Sequence, residues 1–127
     1  MTTVAVDTSA LMLPIELEIR LFEELERLLG EYEAIVPSQV VAELEHLSEE
    51  GGTVGTAASV GSSLAQQHCR VVEVDSPTAD DAVLELATSG AARYVVTADR
   101  ELADRVRTAE SPAITPRGRR QLAIQPP

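Results

Sequence analysis

Short apolar runs alternate with longer stretches of helical periodicity along the 127 residues of the chain. The apolar runs predict β-strands at residues 4–6, 34–36, 70–74, 94–96 and 112–115. Apolar residues spaced three and four apart predict helices at residues 18–29, 38–48, 53–68, 80–89 and 100–108. A further helical turn follows residue 7, and Pro14 interrupts it. Because strands and helices alternate from end to end, the pattern predicts a three-layer α/β fold, in which a central parallel sheet of four or five strands lies between helices.

Length and composition predict one domain with an aliphatic core. No repeat or low-complexity segment divides the chain, so we expect residues 1–127 to form a single domain with a basic segment at 116–127. Aromatic residues make up only 2%, so the core must consist of Val, Leu, Ile and Ala. No apolar run approaches the roughly 20 residues of a membrane span, the N-terminus lacks the pattern of a secretory signal, and the single cysteine, Cys69, cannot form an internal disulfide. We therefore expect a cytoplasmic protein without a membrane partner.

Four acidic residues stand out by their positions relative to these elements. Asp7 follows the first predicted strand and Asp99 follows the fourth, and the carboxyl ends of parallel strands are where such sheets bind ligands. Asp80 begins a helix, and Glu43 lies on the flank of the apolar stripe of helix 38–48. Each also has a structural interpretation: the two strand-end aspartates as helix caps, Asp80 as a complement to a helix dipole, and Glu43 as a solvated helix residue.

Carboxylates gathered in one pocket repel each other and lose hydration unless a cation lies among them. Oxygen ligands suit Mg²⁺ or Mn²⁺ better than zinc. Carboxylate-bound divalent ions are a standard means of hydrolysing phosphodiesters, because they activate water and stabilise the leaving oxygen. Neither a nucleophilic triad nor a glycine-rich phosphate loop competes with this interpretation, since His46 and His68 are the only histidines and neither follows a strand.

Net charge is −11, and all ten basic residues are arginine. An acidic chain without lysine is typical of a salt-adapted cytoplasm, so we expect a halophilic source, with a GC-rich genome as the alternative. The charge is uneven: the first 92 residues contain three arginines and 17 acids, and the last 35 contain seven arginines and four acids. The basic region is a candidate phosphate-binding surface, with a solvated helix face and tail as the alternative. Its candidate RNA-binding residues are Arg100, Arg105, Arg107, Arg117, Arg119 and Arg120.

Four sequence blocks together resemble the PIN-domain nuclease family in order and spacing, and they cover essentially the whole chain. The blocks are Val-Asp7-Thr-Ser, Val-Pro37-Ser-Gln-Val-Val-Ala-Glu43-Leu, Ala-Asp80-Asp81-Ala-Val-Leu-Glu-Leu-Ala and Val-Val-Thr97-Ala-Asp99-Arg-Glu-Leu. The last block and the tail Ile114-Thr-Pro-Arg117-Gly-Arg-Arg120-Gln-Leu122 are more similar to the archaeal and eukaryotic ribosomal-RNA-processing branch than to VapC toxins.

The resemblance implies a PIN-like fold and a Mg²⁺- or Mn²⁺-dependent endoribonuclease. Carried over by position, the metal-binding and catalytic acids are Asp7, Glu43, Asp80 and Asp99, and Thr97 is the hydroxyl that supports Asp99. Asp81 is the alternative to Asp80, which is preferred because it precedes Val83 by three residues as the family's acid does.

Two positions depart from the family pattern. Family members often have Asn where Ser9 and Ala98 stand; Ser9 retains a hydrogen-bonding group and Ala98 does not, which predicts weak activity if that Asn orients water. With so few aromatic residues, RNA binding should depend on phosphate contacts and RNA shape rather than on base stacking.

Three functions are consistent with these observations. The first is a nuclease that processes structured RNA, such as ribosomal RNA precursors, with a ribosome-assembly partner. The second is a VapC-type toxin silenced by an antitoxin, and the third is a non-catalytic module that docks RNA or protein. A homodimer is a further expectation, in which the apolar stripe of residues 21–29 contributes to the interface or instead belongs to the core.

Overall fold

The computed structural model describes residues 1–127, and its strands and helices alternate as the sequence pattern predicts. The strands are β1 (Thr2–Val6), β2 (Tyr32–Pro37), β3 (Cys69–Val72), β4 (Tyr94–Val96), β5 (Ala113–Pro116) and β6 (Leu122–Gln125). The helices are α1 (Thr8–Leu11), α2 (Leu13–Glu16), α3 (Leu21–Leu29), α4 (Ser38–Ser48), α5 (Gly52–His68), α6 (Ala79–Thr88) and α7 (Arg100–Thr108). None of these helices has both the length and the apolar character needed to cross a membrane.

The sheet has six strands in the order β3-β2-β1-β4-β5-β6. The first five strands in that order pair in parallel, and β6 pairs antiparallel to β5. From β1 the chain proceeds outward through β2 to β3, and then returns to place β4 on the other side of β1. The order of the strands therefore reverses between β1 and β4, and in open α/β sheets the crevice at such a reversal is where ligands bind.

Helices cover both faces of the sheet, as the sequence predicts. Because βαβ crossovers are right-handed, the connections on the two sides of the reversal place their helices on opposite faces. α6 packs on β1, β2 and β4, and α7 packs on β4, β5 and α6. The core between these layers is a cluster of 30 buried residues, nearly all of them Val, Leu, Ile or Ala, and it contains none of the three aromatic residues. The predicted α/β fold with an aliphatic core is thus confirmed.

Local differences from the sequence pattern lie at turns. Pro14 lies in the first turn of α2 rather than only ending a turn, because a proline at the start of a helix has no hydrogen bond to lose. The predicted helix 18–29 begins at Leu21, since Glu18 adopts a left-handed backbone with φ of 55°. The sheet has one strand more than predicted: the pattern does not indicate β6, because its apolar stretch is short and follows the arginine-rich turn at residues 117–120.

The outer edge of β6 is covered by an ion pair from α3. The backbone N–H of Leu122 donates to Glu24 Oε1 at 2.9 Å, and Arg27 Nη2 donates to the carbonyl of Leu122 at 2.9 Å. Arg27 also donates to both carboxylate oxygens of Glu24. The pair thus occupies the positions of a neighbouring strand, which protects an edge that otherwise invites pairing with another chain.

α5 packs closely on the segment that follows Asp7, and it does so through glycine. A Cβ built on Gly61 would lie 2.7 Å from the carbonyl oxygen of Leu11, a backbone atom that cannot move aside alone. The Ala-, Gly- and Ser-rich sequence predicts such a close helix contact, and the structure confirms it. α5 therefore fixes α1 and α2, which connect the end of β1 to the rest of the fold.

We expect Gly61→Ala to destabilise the protein even though alanine is the better helix former. The clash with Leu11 should cost about 1–3 kcal/mol, more than the roughly 1 kcal/mol that alanine gains in helix propensity. Urea unfolding measures the difference. Ser63→Ala on the exposed side of the same helix is the control, and it should leave stability unchanged or slightly increased. Equal stability of the two variants would contradict the close contact.

The Glu24 contact predicts a pH-dependent stabilisation. The hydrogen bond from Arg27 lowers the pKa of Glu24 below its ordinary value. The ionised carboxylate therefore stabilises the fold above the unfolded-state pKa of about 4.5, and this contribution is lost as pH falls through the lower folded-state value. We expect Glu24→Gln to be less stable than wild type at pH 7, with the gap closing below about pH 4.5. The control is Glu23→Gln, which alters only the exposed pair with Arg20 and should show a smaller gap at pH 7.

Candidate active site

Asp7 is a buried carboxylate at the reversal point of the sheet. It follows β1 and is only 3% exposed. Asp7 occupies the N-cap position of α1, yet its side chain makes no capping hydrogen bond. Its Oδ2 atom instead accepts hydrogen bonds from Ser9 Oγ and Thr97 Oγ1, both at 2.7 Å. Burial raises the pKa of Asp7, the Ser9 and Thr97 hydroxyls oppose this shift, and the charge of Glu43 adds to it. The helix-cap interpretation is therefore wrong for this residue.

Two hydroxyls join the ends of β1 and β4 around this carboxylate. Thr97 is fully buried, and its Oγ1 accepts the backbone N–H of Asp99 at 3.0 Å while donating to Asp7. Ser9 Oγ accepts the backbone N–H of Ala98 at 2.9 Å. The two hydroxyl oxygens lie 3.0 Å apart. Thr97 thus supports Asp99 through its backbone, and it also orients Asp7.

Asp99 caps α7 and also lies at the end of β4. Its Oδ1 accepts the backbone N–H groups of Glu101 at 2.9 Å and Leu102 at 3.3 Å, so it caps α7. The cap interpretation is therefore confirmed for Asp99. Capping through one oxygen also fixes where the carboxylate lies, next to Thr97 and within electrostatic reach of Asp80.

Asp80 and Asp81 are neighbours in the first turn of α6, but their surroundings differ. Asp81 forms an ion pair with Arg105 at 2.9 Å, and hydrogen bonds from Arg105 and Thr78 lower its pKa. The pKa of Asp80 is raised, first by partial burial and then by the charges of Asp7, Asp99 and Glu43. Asp80 therefore belongs electrostatically to the acidic group, and Asp81 belongs to a surface ion pair.

Glu43 lies in α4 and is exposed, and its charge acts on both Asp7 and Asp80. The four acids thus share one electrostatic environment at the carboxyl edge of the sheet. No three acidic, histidine or cysteine side chains are close enough to form a ready-made set of metal ligands. The residues nevertheless fit a divalent cation in chemistry: all the donors are oxygens, and their mutual repulsion is what a bound cation relieves.

Of the six candidate RNA-binding arginines, three bind partners within the chain and three do not. Arg105 pairs with Asp81 and Arg120 pairs with Glu18 at 3.0 Å. Arg107 donates to the carbonyl of Pro126 at 2.9 Å. Arg100, Arg117 and Arg119 are exposed and make no ion pair or side-chain hydrogen bond. The last two lie in the β5–β6 turn, which follows the carboxyl end of β5 and hence lies at the same edge of the sheet as the acids.

Ser9 also belongs to this network, although the sequence analysis named it only as a departure from the family pattern and not as a site residue. It contacts Asp7, Thr97 and the backbone of Ala98, so it links both strand ends. The available signals were its family position and its spacing, two residues after the strand-end acid. Its contact with Ala98 crosses 89 positions in sequence, which no local pattern reveals.

A family model described as "PIN like domain" matches residues 4–119 of the chain. No curated protein sequence matches this chain significantly.

The fold also resembles three solved structures. The PIN domain endonuclease Utp24 superimposes with a TM-score of 0.79 at 21% identity, over 98% of this chain and 92% of that chain. A domain of a functionally unknown protein from Methanocaldococcus jannaschii DSM 2661 gives 0.67 at 20% identity, over 93% of each chain. VapBC2 from Rickettsia felis, bound to a promoter DNA fragment, gives 0.60 at 13% identity, over 83% of this chain and 93% of that chain. At these identities the likeness establishes a common fold.

The hydroxyl network predicts a specific response to Thr97→Val, which conserves the side-chain shape. The substitution removes a donor to Asp7 and the acceptor of the Asp99 N–H, so it should cost about 1–3 kcal/mol. Thr97→Ser retains the hydroxyl and its hydrogen bonds, so it should lose less stability than Thr97→Val. Thermal and urea unfolding at pH 7 compare the two. A larger loss for Thr97→Ser than for Thr97→Val would show that packing, rather than the network, matters at this position.

Proposed function

Because the chain belongs to the PIN-like-domain family, whose members are typically nucleases, we propose that it is a divalent-metal-dependent endoribonuclease that hydrolyses RNA phosphodiester bonds. The observation that carries the proposal is the environment of Asp7. This buried acid caps no helix, pairs with no arginine, and lies at the reversal of the strand order among three other acids that act on one another. Such an arrangement costs stability in the free protein, which is typical of residues kept for function.

In this proposal Asp7, Glu43, Asp80 and Asp99 hold Mg²⁺ or Mn²⁺. When bound, the cation supplies positive charge that makes water easier to deprotonate and that stabilises the developing charge on the phosphate oxygens. Ser9 and Thr97 keep Oδ2 of Asp7 fixed, so the orientation of this carboxylate is set before the substrate arrives. Asp99 is fixed by its capping bonds to α7.

The neighbouring ion pair has a separate role in the proposal. Arg105 neutralises Asp81 and thereby limits the negative charge that an approaching phosphate meets at the start of α6. Arg100 follows Asp99 directly and makes no ion pair, so its guanidinium is free to bind a phosphate. The acids and their cation thus act on the reacting phosphate, and the arginines bind the RNA backbone on either side of it.

Processing of structured or ribosomal RNA is the role we favour over that of a toxin. The tail block that resembles the processing branch forms the β5–β6 hairpin, which carries Arg117 and Arg119 beside the acidic edge. We also propose that residues 1–127 act as one nuclease domain with a basic segment at 116–127. The contacts of Glu24 and Arg27 with Leu122, which join this segment to α3, support that view.

Cleavage of a structured RNA by the full chain with Mn²⁺ tests the proposal. Asp7→Asn should lower the rate at least about a hundredfold, because it removes charge and one carboxylate oxygen without a large change in volume. The control is Asp75→Asn, an exposed loop acid that pairs with no other residue, and it should cleave like wild type. Equal rates for wild type and Asp7→Asn, or no cleavage with any divalent cation and salt, would contradict the enzyme proposal.

Asp80→Asn and Asp81→Asn form a second matched pair, one residue apart in the same helix turn. We expect Asp80→Asn to lose cleavage nearly as strongly as Asp7→Asn. Asp81→Asn should retain most of the rate, because it removes only the exposed pair with Arg105. The reverse order of activities would make Asp81 the functional acid.

A further inference from the structure

The segment between β3 and α6, residues 73–78, brings the chain back across the sheet to the acidic site. β3 is the edge strand, two strands away from β1, so the ends of these two strands lie roughly 10 Å apart. Asp80, at the start of α6, nevertheless lies where the charge of Asp7 at the end of β1 acts on it. Residues 73–78 therefore run back past the end of β2, which is where α4 begins.

Gln39, in the first turn of α4, binds this segment through the segment's backbone. Its Nε2 atom donates to the carbonyl of Val74 at 2.6 Å and to the carbonyl of Ser76 at 2.9 Å. Val74 and Ser76 are half-buried and lie outside any helix or strand, and carbonyls withdrawn from water in this way need a donor. One side-chain amide thus holds the segment at two points, two residues apart.

The same helix carries one of the candidate acids. Gln39 and Glu43 are four residues apart in α4, so they are neighbours on one face of that helix. The segment that Gln39 holds ends at Thr78, whose hydroxyl accepts the backbone N–H of Asp81 and thereby caps α6. One helix turn, two side-chain hydrogen bonds and one helix cap therefore connect Glu43 with Asp80, and the charge of Glu43 acts on Asp80.

We propose that Gln39 is a positioning residue of the acidic site. Its bonds to the two loop carbonyls hold the start of α6 against α4. They thereby set the separation of Asp80 and Glu43, so that both carboxylates reach the same divalent cation. This inference rests on the proposed metal-dependent function, and it adds to that function a residue that acts through Asp80. The alternative is that Gln39 only satisfies two loop carbonyls, in which case its loss lowers stability and leaves cation binding unchanged.

Titration of the full chain with Mn²⁺, followed by the electron paramagnetic resonance signal of the free ion, tests the inference without RNA. Gln39→Met removes both donated hydrogen bonds with little change in volume. We expect it to bind Mn²⁺ about tenfold more weakly than wild type, as is usual when a residue that orients a metal ligand is lost. Gln39→Glu should also bind more weakly, because a carboxylate cannot donate to the two carbonyls, although its charge alone would strengthen cation binding.

Two controls separate positioning from a general loss of stability. Gln66→Met makes the same chemical change on an exposed part of α5, and it should bind Mn²⁺ like wild type. Glu24→Gln removes the contact with β6 at the far edge of the sheet, so it lowers stability without touching the acidic site. At a temperature at which every variant is folded, Glu24→Gln should also bind Mn²⁺ like wild type.

The Mn²⁺ dependence of RNA cleavage gives a second readout. Because Gln39 acts through cation binding, Gln39→Met should need about tenfold more Mn²⁺ to reach half of its maximal rate. Saturating Mn²⁺ should restore most of kcat, and the KM for RNA should stay close to that of wild type. A variant that is only less stable would keep the wild-type Mn²⁺ requirement at a temperature at which it is folded.

The outcomes separate this inference from the nuclease proposal. If wild type binds Mn²⁺ and cleaves RNA but Gln39→Met binds the ion equally well, the positioning inference fails and the nuclease proposal stands. If Gln39→Met weakens Mn²⁺ binding but wild type cleaves no RNA, the nuclease proposal fails and the positioning role stands. Tighter binding by Gln39→Glu, an equal weakening in Glu24→Gln, or no Mn²⁺ binding by wild type would each overturn the inference.

Discussion

The buried carboxylate of Asp7 is the constraint on which the candidate site depends. It lies where β1 ends, and the two hydroxyls that hold it come from α1 and from the end of β4. Burial raises its pKa, which means that the protein environment disfavours the charge that the hydroxyls stabilise. The same hydroxyls bind the backbone of Ala98 and Asp99. One hydrogen-bond network therefore both orients Asp7 and joins the ends of the two strands.

The rest of the fold offsets the cost of this network. An aliphatic core packs both faces of the sheet, and α5 approaches α1 through Gly61 closely enough to fix the segment that carries Ser9. At the far edge, the pair of Glu24 and Arg27 covers β6. That contact also keeps the arginine-bearing hairpin in the sheet. The stabilising contacts thus lie between the sheet and its helices, and the destabilising charges lie at the carboxyl edge of the sheet.

Hydrophobic periodicity predicted the five parallel strands and the helices between them, because each of these strands contains a short apolar run and most of the helices have an apolar stripe. The same reasoning placed Asp7 and Asp99 at one edge, since parallel strands end together. Periodicity could not separate Asp80 from Asp81, because both begin the same helix; the partner of Asp81, Arg105, lies 24 positions away. Nor could it find β6, whose outer edge depends on side chains of α3 nearly 100 residues earlier in the sequence.

The central claim is that the acids repel one another in the free protein and are united by a divalent cation. Thermal unfolding of wild type and Asp80→Asn, each with EDTA and with Mn²⁺, tests it most directly. With EDTA, Asp80→Asn should melt higher, because it relieves repulsion from Asp7, Asp99 and Glu43. With Mn²⁺, wild type should gain stability and the variant should gain little, since a ligand stabilises only the fold that binds it. Equal shifts with Mn²⁺ in both proteins, or a lower melting temperature for the variant in EDTA, would contradict the account.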